Sequence, residues 1–232
     1  MVNLALYSDQ IIPENSAIDA RLIALLQSQG VGNHIGYVAS GPDPSRRFFT
    51  ERQAYYRRIG LDLSLFHDLD AEPDVSDMDA LFACDAIHLS GGHTGGFLAR
   101  LKRAGMVGPL KEWATRGGVL IGTSAGAILM TPTIAVDALF SDGKPEDVVD
   151  GEALNLLPFE FFPHLNGKPN FLPDLVRYSR HTLRPIIACN DGDGLVVSQG
   201  QVELIGNPLW IANGETKEAR QIEPGLLNIL SV

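Results

Sequence analysis

Between Val119 and Met130 the chain reads Val-Leu-Ile-Gly-Thr-Ser-Ala-Gly-Ala-Ile-Leu-Met, a stretch that few local structures accommodate. The β-favouring run Val119 to Ile121 predicts a short buried strand, the small residues after it a tight turn centred on Ser124, and the residues beyond the start of a helix. Gly122-Thr123-Ser124-Ala125-Gly126 fits G-x-S-x-G, the nucleophile elbow that lifts a serine hydroxyl above a sheet. Glycines at 122 and 126 remove side chains where the turn is sharp and where helix and strand come close. Ala125 is small enough to leave its N–H open to a substrate. A helix beginning at the serine would point unpaired N–H groups and a positive dipole end at developing negative charge. By itself the five-residue pattern fits an ordinary strand-turn-helix junction equally well, so the rest of the chain has to supply its context.

That context begins with alternation. Val2 to Tyr7, Ile35 to Ala39, Leu61 to Phe66 and Ala86 to Ser90 read as strands. The segments Ile18 to Gln29, Thr50 to Ile59 (opened by a capping-box spacing at Thr50), Val75 to Phe82, Gly96 to Arg103 and Pro109 to Thr115 read as helices. Strand and helix in turn predict an α/β fold, a mostly parallel sheet with helices on both faces and ligands gathering at the carboxyl ends of its strands. After Met130 the pattern weakens. Pro132 to Asp150 reads as an acidic surface loop and Pro173 to Thr182 as a helix. Ile186 to Cys189, Leu195 to Ser198, Val202 to Ile205 and Leu209 to Ala212 are short β-like runs. No repeat or linker divides the chain, so residues 1–232 are expected to form a single domain.

Bulk properties exclude several classes. A formal net charge of −10, with 45% hydrophobic and 20% charged residues, describes a globular chain whose field repels nucleic acid and anionic membrane surfaces. The charge-free run from Gly117 to Val136 is long enough to span a bilayer, but four glycines, three threonines, a serine and a proline make it a poor hydrocarbon-facing helix. Cys84 and Cys189 read as buried free thiols, and the N-terminus lacks a basic region and a long apolar run. A cytoplasmic location is therefore expected. No spacing of the H-E-x-x-H kind appears, no Walker lysine follows a glycine loop, and neither a metal nor another cofactor is expected.

A serine nucleophile needs a base, a group to orient the base, and donors for the oxyanion. Ser90-Gly91-Gly92-His93-Thr94-Gly95-Gly96 follows a predicted strand, and the Gly92 N–H is the candidate donor beside that of Ala125; a phosphate loop or a plain turn would look similar. Of six histidines, His34 and His67 lie at strand edges and His181 at a helix end, where structural or surface roles explain them, and His88 alternates within a strand, where packing does. His93 sits in the glycine loop within reach of a substrate, and His164 follows Phe161-Phe162-Pro163 where a strand should end. Asn190-Asp191-Gly192-Asp193-Gly194 offers a carboxylate to orient a histidine, although a turn accounts for it as well.

Taken together, Gly91-Gly92-His93-Thr94, Gly122 to Ala127, Phe162-Pro163-His164 and Asp191-Gly192 resemble the peptidase E family, cytosolic α-aspartyl dipeptidases with cyanophycinases as larger relatives. The resemblance implies a three-layer α/β sandwich like the class I glutamine amidotransferase domain, with serine in place of the cysteine nucleophile. It further implies Ser124 as nucleophile, His164 as base, Asp191 as third member (where the family carries glutamate), and Gly92 and Ala125 as oxyanion donors. His93 falls where an asparagine is usual and Thr123 where a tryptophan is, and both are expected at the substrate. An arginine that reads the aspartyl carboxylate aligns with Ala135, and an aspartate sometimes assigned to the relay aligns with Leu139, with Asp137 nearby. The implied activity is hydrolysis of dipeptides or very short peptides, with the preference for N-terminal aspartate open. The alternatives are a cyanophycinase-like or esterase-type hydrolase and a catalytically silent binding protein. The implied partner is a short peptide, and the oligomeric state, a homodimer among the options, is not fixed by the sequence.

Overall fold

The computed structural model describes residues 1–71 and 75–221. Five parallel strands form the middle and one side of a seven-stranded sheet: β1 (Asn3–Tyr7), β2 (His34–Val38), β3 (Asp62–His67), β4 (Ala86–Leu89) and β5 (Val119–Thr123). Two later strands, β8 (Gly194–Ser198) and β9 (Gln201–Ile205), add antiparallel beyond β1, giving the order β3-β2-β4-β5-β1-β8-β9. The central strands alternate between two apolar clusters, as a period of two requires of a sheet covered on both faces. Ala5, Tyr7, Val119 and Ile121 join one cluster with helices α1 (Ser16–Gln29) and α2 (Arg47–Arg58). Leu4, Leu6, Ile87, Leu89 and Leu120 join the other. That second cluster includes apolar side chains of α3 (Val75–Phe82), α4 (Thr94–Arg103), α5 (Val107–Thr115), α6 (Ala125–Ile128) and α7 (Leu172–Tyr178).

A second sheet of four strands, β6 (Glu160–Phe162), β7 (Ile186–Ala188), β10 (Leu209–Ala212) and β11 (Glu215–Glu218), contributes Phe161, Phe162, Ile186 and Ile187 to the same cluster. The chain crosses from this sheet to the large one between β7 and β8, so residues 189–193 run between the two sheets.

Four expectations are corrected. The second helix starts at Arg47 rather than Thr50, because the Asp43 carboxylate accepts the N–H groups of Arg47 (2.9 Å) and Phe49 (3.2 Å) and caps it a turn early. Residues 132–150 are not simply a surface loop. A 3₁₀ turn over Ala135–Ser141 buries Ala135, Val136 and Leu139 in the core and stacks Phe140 on Phe162. The helix after Ser124 has only four residues, so the expected dipole shrinks to that of one turn. Cys84 and Cys189 are free, the first only half-buried. No helix among the described residues is long and apolar enough to cross a membrane.

Candidate active site

The parallel register brings the carboxyl ends of β1, β4 and β5 side by side, and from them emerge Ser8-Asp9-Gln10, Ser90-Gly91-Gly92 and Thr123-Ser124. Ser124 turns the chain with φ 49° and ψ −109°, a conformation that an L-residue holds only under constraint. The constraints are visible. The Ser124 N–H donates to Tyr7 O (3.0 Å) and the Gly126 N–H to Ser90 O (3.1 Å). Between them, the Ala125 N–H has no protein acceptor among the described residues. A Cβ on Gly122 would stand 2.6 Å from the Ala127 nitrogen, and one on Gly126 would stand 2.0 Å from Leu89 O, so the turn closes onto the sheet only with glycine at both places.

His164 leaves β6 with φ 57°, again in the left-handed region. Ser8 holds it there, its Oγ accepting the His164 N–H at 2.8 Å. The imidazole lies between two side chains, with Nε2 2.9 Å from Ser124 Oγ and Nδ1 2.5 Å from Asp191 Oδ1. Leu165 N–H donates to Cys189 O and Cys189 N–H to Phe162 O, which zips the His164 segment to the one carrying Asp191. The Asp191 N–H is held by Asn166 and the Gly192 N–H by Asp9 Oδ1 (2.9 Å). Burial pushes the Asp9 carboxyl above its ordinary range, and the neighbouring Asp191 charge pushes the same way while His164 opposes it.

The remaining sequence candidates divide. Gly92 has φ 142° and lies on the wall of a cavity of about 350 Å³ that also touches Thr123, Ser40, Tyr37 and Arg52. His93 caps α4, its Nδ1 accepting the Gly96 N–H at 2.8 Å, so half of the imidazole expected at the substrate serves the helix. Thr123 lines the cavity, yet its hydroxyl donates to Gln10 Oε1 at 2.7 Å and lies 3.2 Å from His88 Nε2. The hydroxyl of a residue expected at the substrate is therefore engaged by the protein, because the alternation along β5 turns Thr123 toward the α1–α2 layer. Asp137 receives the Thr94 hydroxyl at 2.5 Å, and burial raises its pKa. Ala135 is buried.

Several polar residues that sequence patterns did not single out sit at this end of the sheet. Ser8 is one. Arg52 is another: on α2, it donates to Gln10 O (3.3 Å), lies 5.1 Å from the Tyr55 ring centroid, and faces the cavity without a carboxylate within ion-pair distance among the described residues. Its neighbour Glu51 is taken by Arg47 at 3.0 Å. Among the described residues no group of three or more His, Cys, Asp or Glu side chains is placed to hold a metal ion.

The comparisons agree with this architecture. A crystal structure of a Listeria monocytogenes EGD-e protein, described as a candidate peptidase E, superposes with a TM-score of 0.65 at 25% identity, over 88% of this chain and 98% of that one. A peptidase from an acI-B1 Actinobacterium shares the fold with a TM-score of 0.60 at 16% identity, over 94% and 97% of the two chains. The fold is thus the mostly parallel α/β sandwich of class I glutamine amidotransferase type. Among curated proteins, the uncharacterized peptidase Lin0382 of Listeria innocua is 38% identical over 86 residues, which is 37% of this chain and 41% of that protein's length. Peptidase E of Shigella flexneri is 25% identical over 237 residues, 97% of this chain and 99% of that one. With the family's model matched from residue 10 to residue 205, the chain belongs to peptidase family S51.

Proposed function

We propose that the chain is a serine peptidase of dipeptides or very short peptides, with Ser124 as nucleophile, His164 as general base and acid, and Asp191 as the group that orients His164. The observation that carries the reading is the His164 ring, whose two nitrogens contact Ser124 Oγ and Asp191 Oδ1 at once. In this reading Ser124 Oγ attacks the scissile carbonyl while His164 Nε2 takes its proton. The carbonyl oxygen becomes an oxyanion received by the N–H groups of Gly92 and Ala125. Collapse breaks the C–N bond, the leaving amine takes the proton from His164, and water, deprotonated by the same imidazole, releases the acyl group. Asp191 keeps Nδ1 protonated so that Nε2 is free to accept.

Arg52 supports an acidic residue on the acyl side. The leaving amine has to face His164 to be protonated. The cavity with Gly92, Thr123 and Arg52 does not include His164 in its walls, so it suits the acyl residue's side chain. A guanidinium there supplies the cation that Ala135 cannot.

The test is a screen of aminoacyl p-nitroanilides across acyl residues, with fluorophosphonate labelling of the protein. Wild type is expected to release chromophore and to be labelled at Ser124 in a His164-dependent way, and Ser124→Ala to lose both. Unchanged hydrolysis by Ser124→Ala refutes the reading.

A further inference from the structure

Beneath the turn at Ser124 lies a closed ring of four buried side chains, each from a different part of the fold. Thr123, at the end of β5, donates its hydroxyl to Gln10 Oε1 (2.7 Å), and Gln10, just past β1, donates Nε2–H to Tyr56 Oη (3.1 Å). Tyr56, on α2, lies 3.1 Å from His88 Nδ1, and His88, on β4, returns to Thr123 with Nε2 3.2 Å from Oγ1. Tyr56 and His88 have no exposed surface, and Thr123 and Gln10 retain only 6% and 8%.

With the Gln10 amide turned so that Oε1 meets Thr123 and Nε2 meets Tyr56, counting donors fixes the sense of the ring. The Thr123 proton is spent on Gln10, so the His88–Thr123 contact requires a proton on His88 Nε2. The Tyr56 oxygen already accepts from Gln10, so its own proton goes to His88 Nδ1, which must be bare. Every member then donates once and accepts once, and His88 is a neutral Nε2–H imidazole. An imidazolium would set an N–H on Nδ1 against the Tyr56 hydroxyl proton and break the circuit. Burial, with the Arg52 charge adding to it, holds the His88 pKa well below its ordinary value, in keeping with this count.

We infer that this ring is a positioning device for the nucleophile, in which Gln10, Tyr56 and His88 lock Thr123 and so hold the strained Ser124 backbone over the sheet. The inference rests on the peptidase reading above. Ser124 occupies a strained conformation, with φ 49°, that persists only where its surroundings over-determine it. The hydrogen bonds of Ser124 and Gly126 restrain the turn from its own side and beyond. The ring restrains the residue before it, tying the ends of β1, β4 and β5 and helix α2 to a single side chain. Helix α2 is fixed in turn, since Tyr55 donates to Asp19 on α1 at 2.8 Å. Neither Tyr56 nor His88 touches the substrate in this arrangement. They act through Thr123.

Tyr56→Phe keeps the shape and removes the phenol, opening two of the four links. The expected result is a kcat lowered about tenfold or more, with KM changed less than about threefold, and fluorophosphonate labelling of Ser124 slowed by the same factor. Thr123→Val is expected to slow labelling likewise, and Thr123→Ser, which keeps the hydroxyl, to recover most of that loss. In the wild-type protein, ¹⁵N-resolved NMR of His88 is expected to report the neutral Nε2–H tautomer. A folded Tyr56→Phe protein labelled at the wild-type rate refutes the inference alone, as does a doubly protonated His88, whereas a neutral Nδ1–H His88, with the Gln10 amide turned over, runs the same closed ring in the opposite sense and supports it. If Tyr56→Phe does not fold, the His88 protonation state and the Thr123 pair decide. A wild-type protein that takes no label refutes the peptidase reading, and this inference with it.

Discussion

Gly126→Ala adds one methyl group where the turn meets the sheet, and its effect can be worked from distances. A Cβ at that position would lie 2.0 Å from Leu89 O, 2.6 Å from Leu89 C and 2.9 Å from Leu89 Cβ. Cβ atoms do not approach another heavy atom closer than 3.0 Å, so α6 must move at least 1.0 Å away from β4, the difference between 3.0 and 2.0 Å. Two of the three clashing atoms are backbone of a central strand, which cannot step aside as a flexible side chain would. Overpacking of this kind costs about 1–3 kcal/mol, or about 2–12 °C in unfolding temperature for a chain of this size. The motion also displaces Ala125 and Ser124 relative to His164, and a misplacement of about 1 Å at a reacting group costs on the order of 10² in rate. Anilide hydrolysis and thermal unfolding followed by circular dichroism measure the two effects separately. A Gly126→Ala protein with wild-type kcat/KM and wild-type unfolding temperature would refute the packing argument.

Asp191→Asn leaves His164 without an ionised acceptor, and the expected loss in kcat/KM and in Ser124 labelling is about 10²–10⁴-fold; undiminished activity would remove Asp191 from the machinery. Stability should depend on pH with opposite signs at two carboxylates, read as unfolding temperature between about pH 3 and 8. Hydrogen bonds from Arg100 and then Arg103 hold Asp70 below the usual range, so its contribution is present above the ordinary carboxylate pKa and lost on acidification; Asp70→Asn should flatten the acid limb. Burial raises Glu160, so its contribution is present below the ordinary value and lost as pH rises through the folded value; Glu160→Gln should remove that decline.

The alternating strands and helices of the first 130 residues were legible because β1, β4 and β5 are buried on both faces, the edge strand β3 alternates at its start, and helices α1 to α5 each keep exposed residues beside buried ones, which leaves plain periodicities in the sequence. Helix starts were less so. Asp43 caps α2 from outside the capping-box spacing, a contact made possible by the left-handed turn at Arg46. The segment 132–150 read as loop because a 3₁₀ turn has no apolar period of its own, and its burial is decided by β6 and α7 packing over it. At the site, Ser124, His164 and Asp191 were legible as a chain order, and the geometry brings those three side chains together. Ser8, Gln10, Arg52 and Tyr56 were not, since nothing in their local sequence distinguishes them; only the register of β1 beside β5, and α2 lying over that edge, puts them under the turn. One signal was available in principle: Ser8 follows a predicted parallel strand directly, at the end where ligands gather. His93 and Thr123 were placed near the substrate by resemblance, and the structure gives each a protein partner that position alone could not reveal.

Ser124 and His164 belong to different sheets, the first at the end of β5 and the second at the end of β6, and Asp191 lies on the crossing between the two. The 2.9 Å contact between serine and imidazole is therefore also a gauge of how the small sheet seats against the large one. Under the proposed peptidase reading, chemistry at Ser124 becomes a reporter of assembly: a reactive serine would certify that two separately hydrogen-bonded sheets have docked in register.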